Sequence, residues 1–194
     1  IVSPASNPFI NFSPSKIDFI ALVPFQLQTI LESNKNYYLE NCHAIIIGGA
    51  PVSYDLEQKI QTVNSPIFGT YGMTETVSHI ALKKLNGIKK DVFFHCLPNV
   101  IIKQDERNCL SIESPVSNNE TLITNDLVNI ISPTSFEWLG RVDNVINSGG
   151  IKIQIEQVEQ KIIELFYKKN IKNRFIIGGI NDKRFGTKVI LLIE

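Results

Sequence analysis

Three short apolar runs, each stopped by glycine or proline, constrain this chain most. Ile17 to Val23 ends at Pro24, Ala44 to Ile47 ends at Gly48-Gly49-Ala50-Pro51, and Pro66 to Phe68 runs into Gly69-Thr70-Tyr71-Gly72. Runs this short, bounded by turn residues, read as buried strands. Between the first two, Phe25 to Leu31 carries apolar residues at helical spacing. After the second, Ser53 stands where it can cap a helix through Val63, with Leu56 and Ile60 on one face. Strand, loop and helix in succession predict a parallel α/β layer whose ligand-facing loops lie at the strand ends.

The pattern changes after Leu85. Short alternating runs at Asp91 to His95, Val100 to Lys103, Leu110 to Glu113, Leu122 to Thr124 and Leu127 to Ile131 predict a β-rich part. Gly140 to Ile153 comes next as a loop and strand segment, then an amphipathic helix over Glu156 to Lys169 through Val158, Ile162, Leu165 and Phe166. Two strands, Phe175 to Gly178 and Val189 to Ile193, flank the turn Asn181-Asp182-Lys183. The expected architecture is α/β over residues 1–85 and β-rich over 86–140, together forming one domain, then a small mobile α+β domain over 141–194.

Bulk properties narrow the partners. Nineteen acidic residues balance nineteen basic ones among 194, so no global field favours nucleic acid or an anionic membrane, and recognition must be local. No apolar stretch reaches the ~18 residues of a membrane span, so no stable membrane insertion is expected. The three cysteines, Cys42, Cys96 and Cys109, lack metal-ligand spacing and suit a reduced, cytoplasmic protein. Cys42-His43, just before an apolar run, reads as a buried structural pair.

Four polar segments carry the candidate chemistry. In Tyr71-Gly72-Met73-Thr74-Glu75-Thr76 a glycine-containing loop brings backbone amides and the Thr74 hydroxyl toward a phosphate. Tyr71 offers a face for a purine, and Glu75 is a hard oxygen ligand suited to magnesium. The competing structural reading is a strand-to-helix turn with Thr74 as the cap. Gly48-Gly49-Ala50-Pro51 could admit a flat ring against the backbone or be only a tight turn. In Thr124-Asn125-Asp126 a carboxylate could accept from ribose hydroxyls or serve a turn. In Gly140 to Ile153, Arg141 could bind ribose or phosphate oxygens and Asp143 stands where backbone rotation would swing the C-terminal segment, against the plainer reading of a surface loop with a salt bridge.

Taken in order, these segments resemble the adenylate-forming superfamily of acyl-CoA ligases, luciferases and peptide-synthetase adenylation domains, over essentially the whole chain. The resemblance implies that Gly49, Ala50 and Tyr71 line an adenine pocket, Thr74 meets the α-phosphate, Glu75 holds Mg2+, Asp126 and Arg141 grip the ribose, and Asp143 is a hinge. Asn181 to Val189 looks like the superfamily's Asp-x-x-x-Gly-x-x-Val turn. Within the superfamily, Tyr71 to Ala81 and Asp143 to Ile153 look most like the o-succinylbenzoate-CoA ligases of menaquinone biosynthesis. That implies ATP, CoA and o-succinylbenzoate as small-molecule partners, activation of the acid as an acyl-adenylate, and transfer to the CoA thiol. Ala21 to Leu27, with Pro24 and Gln26, matches the segment that shapes the acyl pocket, and His79 is either a further pocket residue or a buried, hydrogen-bonded histidine in a helix.

Two parts of the family pattern find no match. A Ser/Thr/Gly-rich phosphate loop with its lysine is not present between Ile1 and Lys16, and no late Gly-Lys comes after Leu191; Lys188, in the earlier glycine turn, does not match it. The chain is therefore expected to be a C-terminal portion of a ligase, carrying the site without performing the reaction by itself. The rival expectations are another aryl- or fatty-acyl-CoA ligase, and a non-catalytic scaffold that retains nucleotide affinity.

Overall fold

A computed structural model describes residues 7–10, 16–33 and 35–194; the reading of residues 1–16 as lacking a phosphate loop falls largely outside them. The chain divides into two compact units, residues 1–98 and 99–194.

In the first unit, strands β1 (Phe19–Leu22), β2 (Ala44–Ile47) and β3 (Ile67–Gly72) lie side by side and parallel, with Leu22 opposite Ile47 and Ile47 opposite Gly69. This is the parallel layer the apolar runs predict. Helix α1 (Pro24–Leu31) begins with proline at its first position, where the missing N–H is no loss. Gln26 Oε1 accepts from the Val23 N–H at 3.1 Å and so closes the same end. Helix α2 (Tyr54–Lys59) is capped as expected, the Ser53 hydroxyl accepting from Leu56 N–H at 3.2 Å. Asp55 and Glu57 in its first turn and Lys59 in its last follow the helix dipole. Helix α2 stops short of Val63, the chain continuing as a 3-10 turn over Ile60–Thr62.

Leu22, Leu27, Ile30, Ile45, Ile47, Leu56, Ile60 and Ile67 form the core between this sheet and its helices, each nearly or wholly buried. Asn86, also buried, ties the far end. Its Oδ1 accepts from Ile67 N–H at 2.8 Å, and its Nδ2 donates to the carbonyls of Val63 and Ser65 at 2.8 and 2.9 Å.

Beyond β3 the pattern departs from strand-then-helix. β4 (His79–Lys84) returns antiparallel to β3, and β5 (Phe94–Cys96) is antiparallel to β4. Only the 3-10 turn Thr74–Thr76 separates β3 from β4. His79 therefore begins a strand rather than sitting in a helix: six residues between Gly72 and His79 are too few for a parallel crossover, which needs a dozen or more.

In the second unit, β6 (Ile101–Gln104), β7 (Cys109–Glu113), β8 (Leu122–Ser132) and β9 (Ser135–Arg141) make an antiparallel meander. The two runs expected at Leu122 to Thr124 and Leu127 to Ile131 are one bulged strand. β9, unforeseen, pairs with it so that Asp126 faces Arg141. Ile102, Leu110, Ile112, Val128 and Phe136 are among the unit's buried apolar side chains. A 3-10 turn over Val142–Asn144 leads to the hairpin β10 (Val145–Ser148) and β11 (Ile151–Gln154). Helix α3 (Ile155–Lys168) and the hairpin β12 (Phe175–Asp182) and β13 (Gly186–Ile193) complete the unit. On α3, Val158, Ile162 and Phe166 are half-buried, but Leu165 is exposed; the Phe166 ring meets Phe175 edge-on at 5.2 Å.

His43 is exposed, so only Cys42 of that pair is buried: its N–H donates to Ser65 Oγ at 2.9 Å. No helix among the described residues is long and apolar enough to cross a membrane.

Candidate functional site

A cavity of about 600 Å³ opens at the C-terminal ends of β1 to β3 in the first unit, where ligands enter parallel α/β layers. Strand alternation decides which residues reach it. Ile45 and Ile47 point into the core, whereas Ile46 lines the cavity; Thr70 and Gly72 line it, whereas Tyr71 does not. The Tyr71 ring instead lies 5.8 Å from that of Phe94.

The loop from Gly72 to His79 forms one wall and is tightly determined. Thr76 is buried; its hydroxyl accepts from Met73 N–H at 3.0 Å and lies 2.9 Å from Met73 O and 2.7 Å from Ser78 O, so it ties both ends of the loop. Val77 has φ +60° and ψ −43°, and Ser78 N–H donates to Thr76 O at 2.6 Å. Together these define a γ-turn of the strained kind. A β-branched residue at positive φ is disfavoured, and strain of this type concentrates at ligand sites. Gly72 completes the wall: a Cβ there would collide with Ser78 O and come within 2.6 Å of His79 Cα. The register of β3 against β4 also shifts between Tyr71 and Gly72, a bulge of the sort that re-aims side chains beside sites.

Of the sequence-derived candidates, Gln26, Gly49, Thr74 and His79 line this one cavity; Pro24, Ala50, Tyr71 and Glu75 do not. Thr74 and Glu75 are both exposed. The Gln26 carbonyl oxygen is engaged on the backbone of Val23, and His79 Nδ1 lies 3.2 Å from Ser78 Oγ. Thr70, Met73, Val77 and Ser78 also line the cavity; the last three fall within the Tyr71 to Ala81 segment, but none of the four is assigned a role of its own by the sequence. Ser78 is legible from its adjacency to His79, but the γ-turn has no signature in composition.

Asp126, Arg141 and Asp143 belong to the second unit. The Asp126 carboxylate accepts from Trp138 Nε1 at 3.2 Å and lies 3.8 Å from Arg141 Nη1. Arg141 Nη2 also donates to Asp143 at 2.9 Å, and Asn125 Nδ2 reaches the same carboxylate at 3.2 Å. Asn125 is held in turn by Arg107 Nη1 at 3.0 Å. Pairing across β8 and β9 thus brings the expected ribose residues together with the expected hinge.

Among the described residues no three His, Cys, Asp or Glu side chains converge as a metal site. A lone exposed carboxylate such as Glu75 fits Mg2+ if phosphate oxygens and water complete the shell, as that ion prefers.

Comparison with known proteins places this geometry. The model of the family described as AMP-binding enzyme matches residues 6–134. The 2-succinylbenzoate–CoA ligase of Haemophilus influenzae is 28% identical over 92% of this chain and 42% of its own length. That of Oceanobacillus iheyensis is 24% identical over 87% and 40%. The chain therefore spans about two-fifths of the length of these curated relatives. Among solved structures, an acyl-CoA synthetase (AMP-forming)/AMP-acid ligase II-like protein from Dyadobacter fermentans is 42% identical, with TM-score 0.70, over 99% of this chain and 55% of that one. The O-succinylbenzoate coenzyme A synthetase of Bacillus subtilis, solved with ATP and magnesium ion, shares the fold at TM-score 0.68 and 22% identity, over 90% of this chain and 41% of that one. With a family match across most of its residues and a cavity at the expected strand ends, this chain belongs to the AMP-binding enzyme family.

Proposed function

We propose that this chain is part of an ATP-dependent acyl-CoA ligase that activates o-succinylbenzoate as its acyl-adenylate and transfers it to CoA, serving menaquinone biosynthesis in the cytoplasm. The observation that carries the reading is the convergence of Gly49, Thr74, His79 and Gln26 on one cavity at the ends of the parallel strands. Its volume suits a small organic ligand.

In the first step a carboxylate oxygen of the acid attacks the α-phosphorus of ATP and pyrophosphate leaves. The Thr74 hydroxyl, exposed on the cavity wall, donates to an α-phosphate oxygen and stabilises the charge that develops there. Glu75 is the residue that would hold Mg2+, which when bound neutralises phosphate charge. Asp126 and Arg141 bind the ribose, and Gly49 forms the adenine side from the cavity wall, with Ala50 and Tyr71 flanking it from outside that wall. Gln26 and His79 border the acyl group, with Pro24 starting the helix that carries Gln26 and Ser78 fixing the His79 ring through Nδ1. In the second step the CoA sulfur attacks the acyl carbon, the thiol loses its proton, and AMP leaves. Residues 1–140 act as part of the large domain and 141–194 as the mobile one, turning about Asp143 between steps.

Thioester formation from ATP, CoA and a panel of acids, assayed with the complete ligase that contains this chain, tests the substrate. o-Succinylbenzoate should exceed benzoates and fatty acids by at least a hundredfold in kcat/KM. A preference for a simple benzoate or a fatty acid would assign the cavity to another acyl group.

A further inference from the structure

The turn over Val142–Asn144 is gripped on two sides within the second unit. On one side Asp143 accepts from Asn125 and Arg141. On the other stands Glu156, in the first turn of α3. Its Oε1 accepts from the backbone N–H of Arg141 at 3.1 Å and from Asn144 Nδ2 at 2.6 Å, and its Oε2 accepts from Gln154 Nε2 at 2.8 Å. Gln154 Nε2 also reaches the Arg141 carbonyl at 3.2 Å.

Two of these contacts cross the position of Asp143. Arg141 precedes it, whereas Gln154 and Glu156 come after it, so both polar groups of Arg141's backbone are fastened to the segment that begins α3. Rotation of the backbone at Asp143 has to part them. The backbone is shaped for the same contact at Gly140, which has φ +134°. A Cβ on Gly140 would collide with Gln154 Nε2 and lie 2.5 Å from Glu156 Oε2. The space a side chain would take at position 140 is the space the Glu156 carboxylate occupies.

We propose that Glu156 is a positioning residue that latches Arg141 to the start of α3 and so sets the resting arrangement about Asp143; the proposal rests on the reading of Asp143 as the pivot. A carboxylate suits the task because every group bonded to it is a donor, and an ionised acceptor makes stronger hydrogen bonds than a neutral one. The latch opens when Arg141 N–H and its carbonyl exchange these partners for water.

Glu156→Gln tests it in the complete ligase, since it keeps the size of the side chain but turns an amide NH2 toward donors. Hydrogen exchange at the Arg141 amide should rise at least tenfold while exchange in the β12–β13 hairpin stays within twofold of the parent. The ratio of the thioester-forming to the adenylate-forming rate should shift at least fivefold. Gly140→Ala, which crowds the same carboxylate, should shift the ratio in the same direction. Asp143→Pro restricts φ at the pivot itself and should spare adenylate formation while depressing the thioester step. A Glu156→Gln ratio within twofold of the parent overturns the latch, whatever the exchange rate. Equal loss of both half-reactions in Asp143→Pro overturns the pivot beneath it.

Discussion

The hydroxyl of Thr76 lies 2.7 Å from the carbonyl oxygen of Ser78, across the γ-turn at Val77. The same hydroxyl accepts the Met73 N–H, so one buried side chain closes both ends of the loop that presents Thr74 and Glu75. Thr76→Val keeps the shape and removes the tie. Loss of a buried hydrogen-bonded hydroxyl costs about 1–3 kcal/mol, and the loosened loop should weaken Mg-ATP binding about tenfold, an equivalent of ~1.4 kcal/mol. Thr76→Ser should restore binding. Calorimetric titration with Mg-ATP, run beside thermal unfolding, checks both.

Val77 is four-fifths exposed, so its positive φ is not forced by burial of its side chain. Relief of backbone strain is worth ~1–3 kcal/mol, against which the greater freedom of glycine in the unfolded chain costs about 0.5–1 kcal/mol. Val77→Gly should therefore raise the unfolding free energy by about 1 kcal/mol. Denaturant titration measures this, and a loss of stability would mean that the turn is unstrained.

Glu156 also gives the fold an acid dependence. Burial raises its pKa, but donation from the Asn144 amide, from its own N–H, from the Arg141 N–H and from Gln154 outweighs that, leaving it below the usual 4.5. Glu159 is its charged neighbour, one turn further along α3, whereas the Arg141 guanidinium is turned to Asp126 and Asp143. A group whose folded pKa is depressed stabilises the fold above its unfolded pKa, and that contribution disappears as pH falls through the folded value. Stability measured from pH 6 down to pH 3 should fall less steeply in Glu156→Gln than in the parent protein. Parallel profiles would show that the carboxylate does not accept these hydrogen bonds in solution.

The thiols should be silent. Cys42 and Cys109 are buried, and burial pushes Cys96 up to about 11, so little thiolate exists at pH 8. A thiol reagent at that pH should label the folded chain far more slowly than the unfolded one, where all three cysteines react. Rapid labelling of Cys96 in the folded state would contradict its placement.

Much of this arrangement is legible in the residues. β2 falls on Ala44–Ile47 because a fully apolar run between a polar stretch and Gly48-Gly49 has few other fates, and Ser53 caps α2 because its oxygen meets an otherwise unsatisfied N–H. The hidden features depend on partners distant in sequence. β4 runs antiparallel because a six-residue loop cannot carry a crossover, yet Val77 to Leu82 suits helix and strand alike. β9 is visible only as the partner of β8: its polar and aromatic residues Glu137 and Trp138 gain their strand geometry from the pairing with Asn129 and Val128. At the site, residue identity marks Thr74, His79 and Gly49, but Tyr71 faces away from the cavity because strand alternation, not chemistry, aims a side chain. Glu156 has no mark in the sequence beyond its place at the start of an amphipathic helix. Its role follows from the bare Gly140 backbone beside it, and that proximity appears only in three dimensions.

On the proposed function, the Thr74–Glu75 loop at the strand ends handles the α-phosphate and Mg2+ of ATP during activation of o-succinylbenzoate. Acid-dependent exchange of labelled pyrophosphate into ATP by the complete ligase isolates that step. With o-succinylbenzoate the parent should exchange, and Thr74→Ala and Glu75→Gln should each reduce the rate at least a hundredfold, about 2.7 kcal/mol of transition-state stabilisation, while thermal unfolding stays within a few degrees of the parent. Exchange by both variants at the parental rate would contradict that role for the loop.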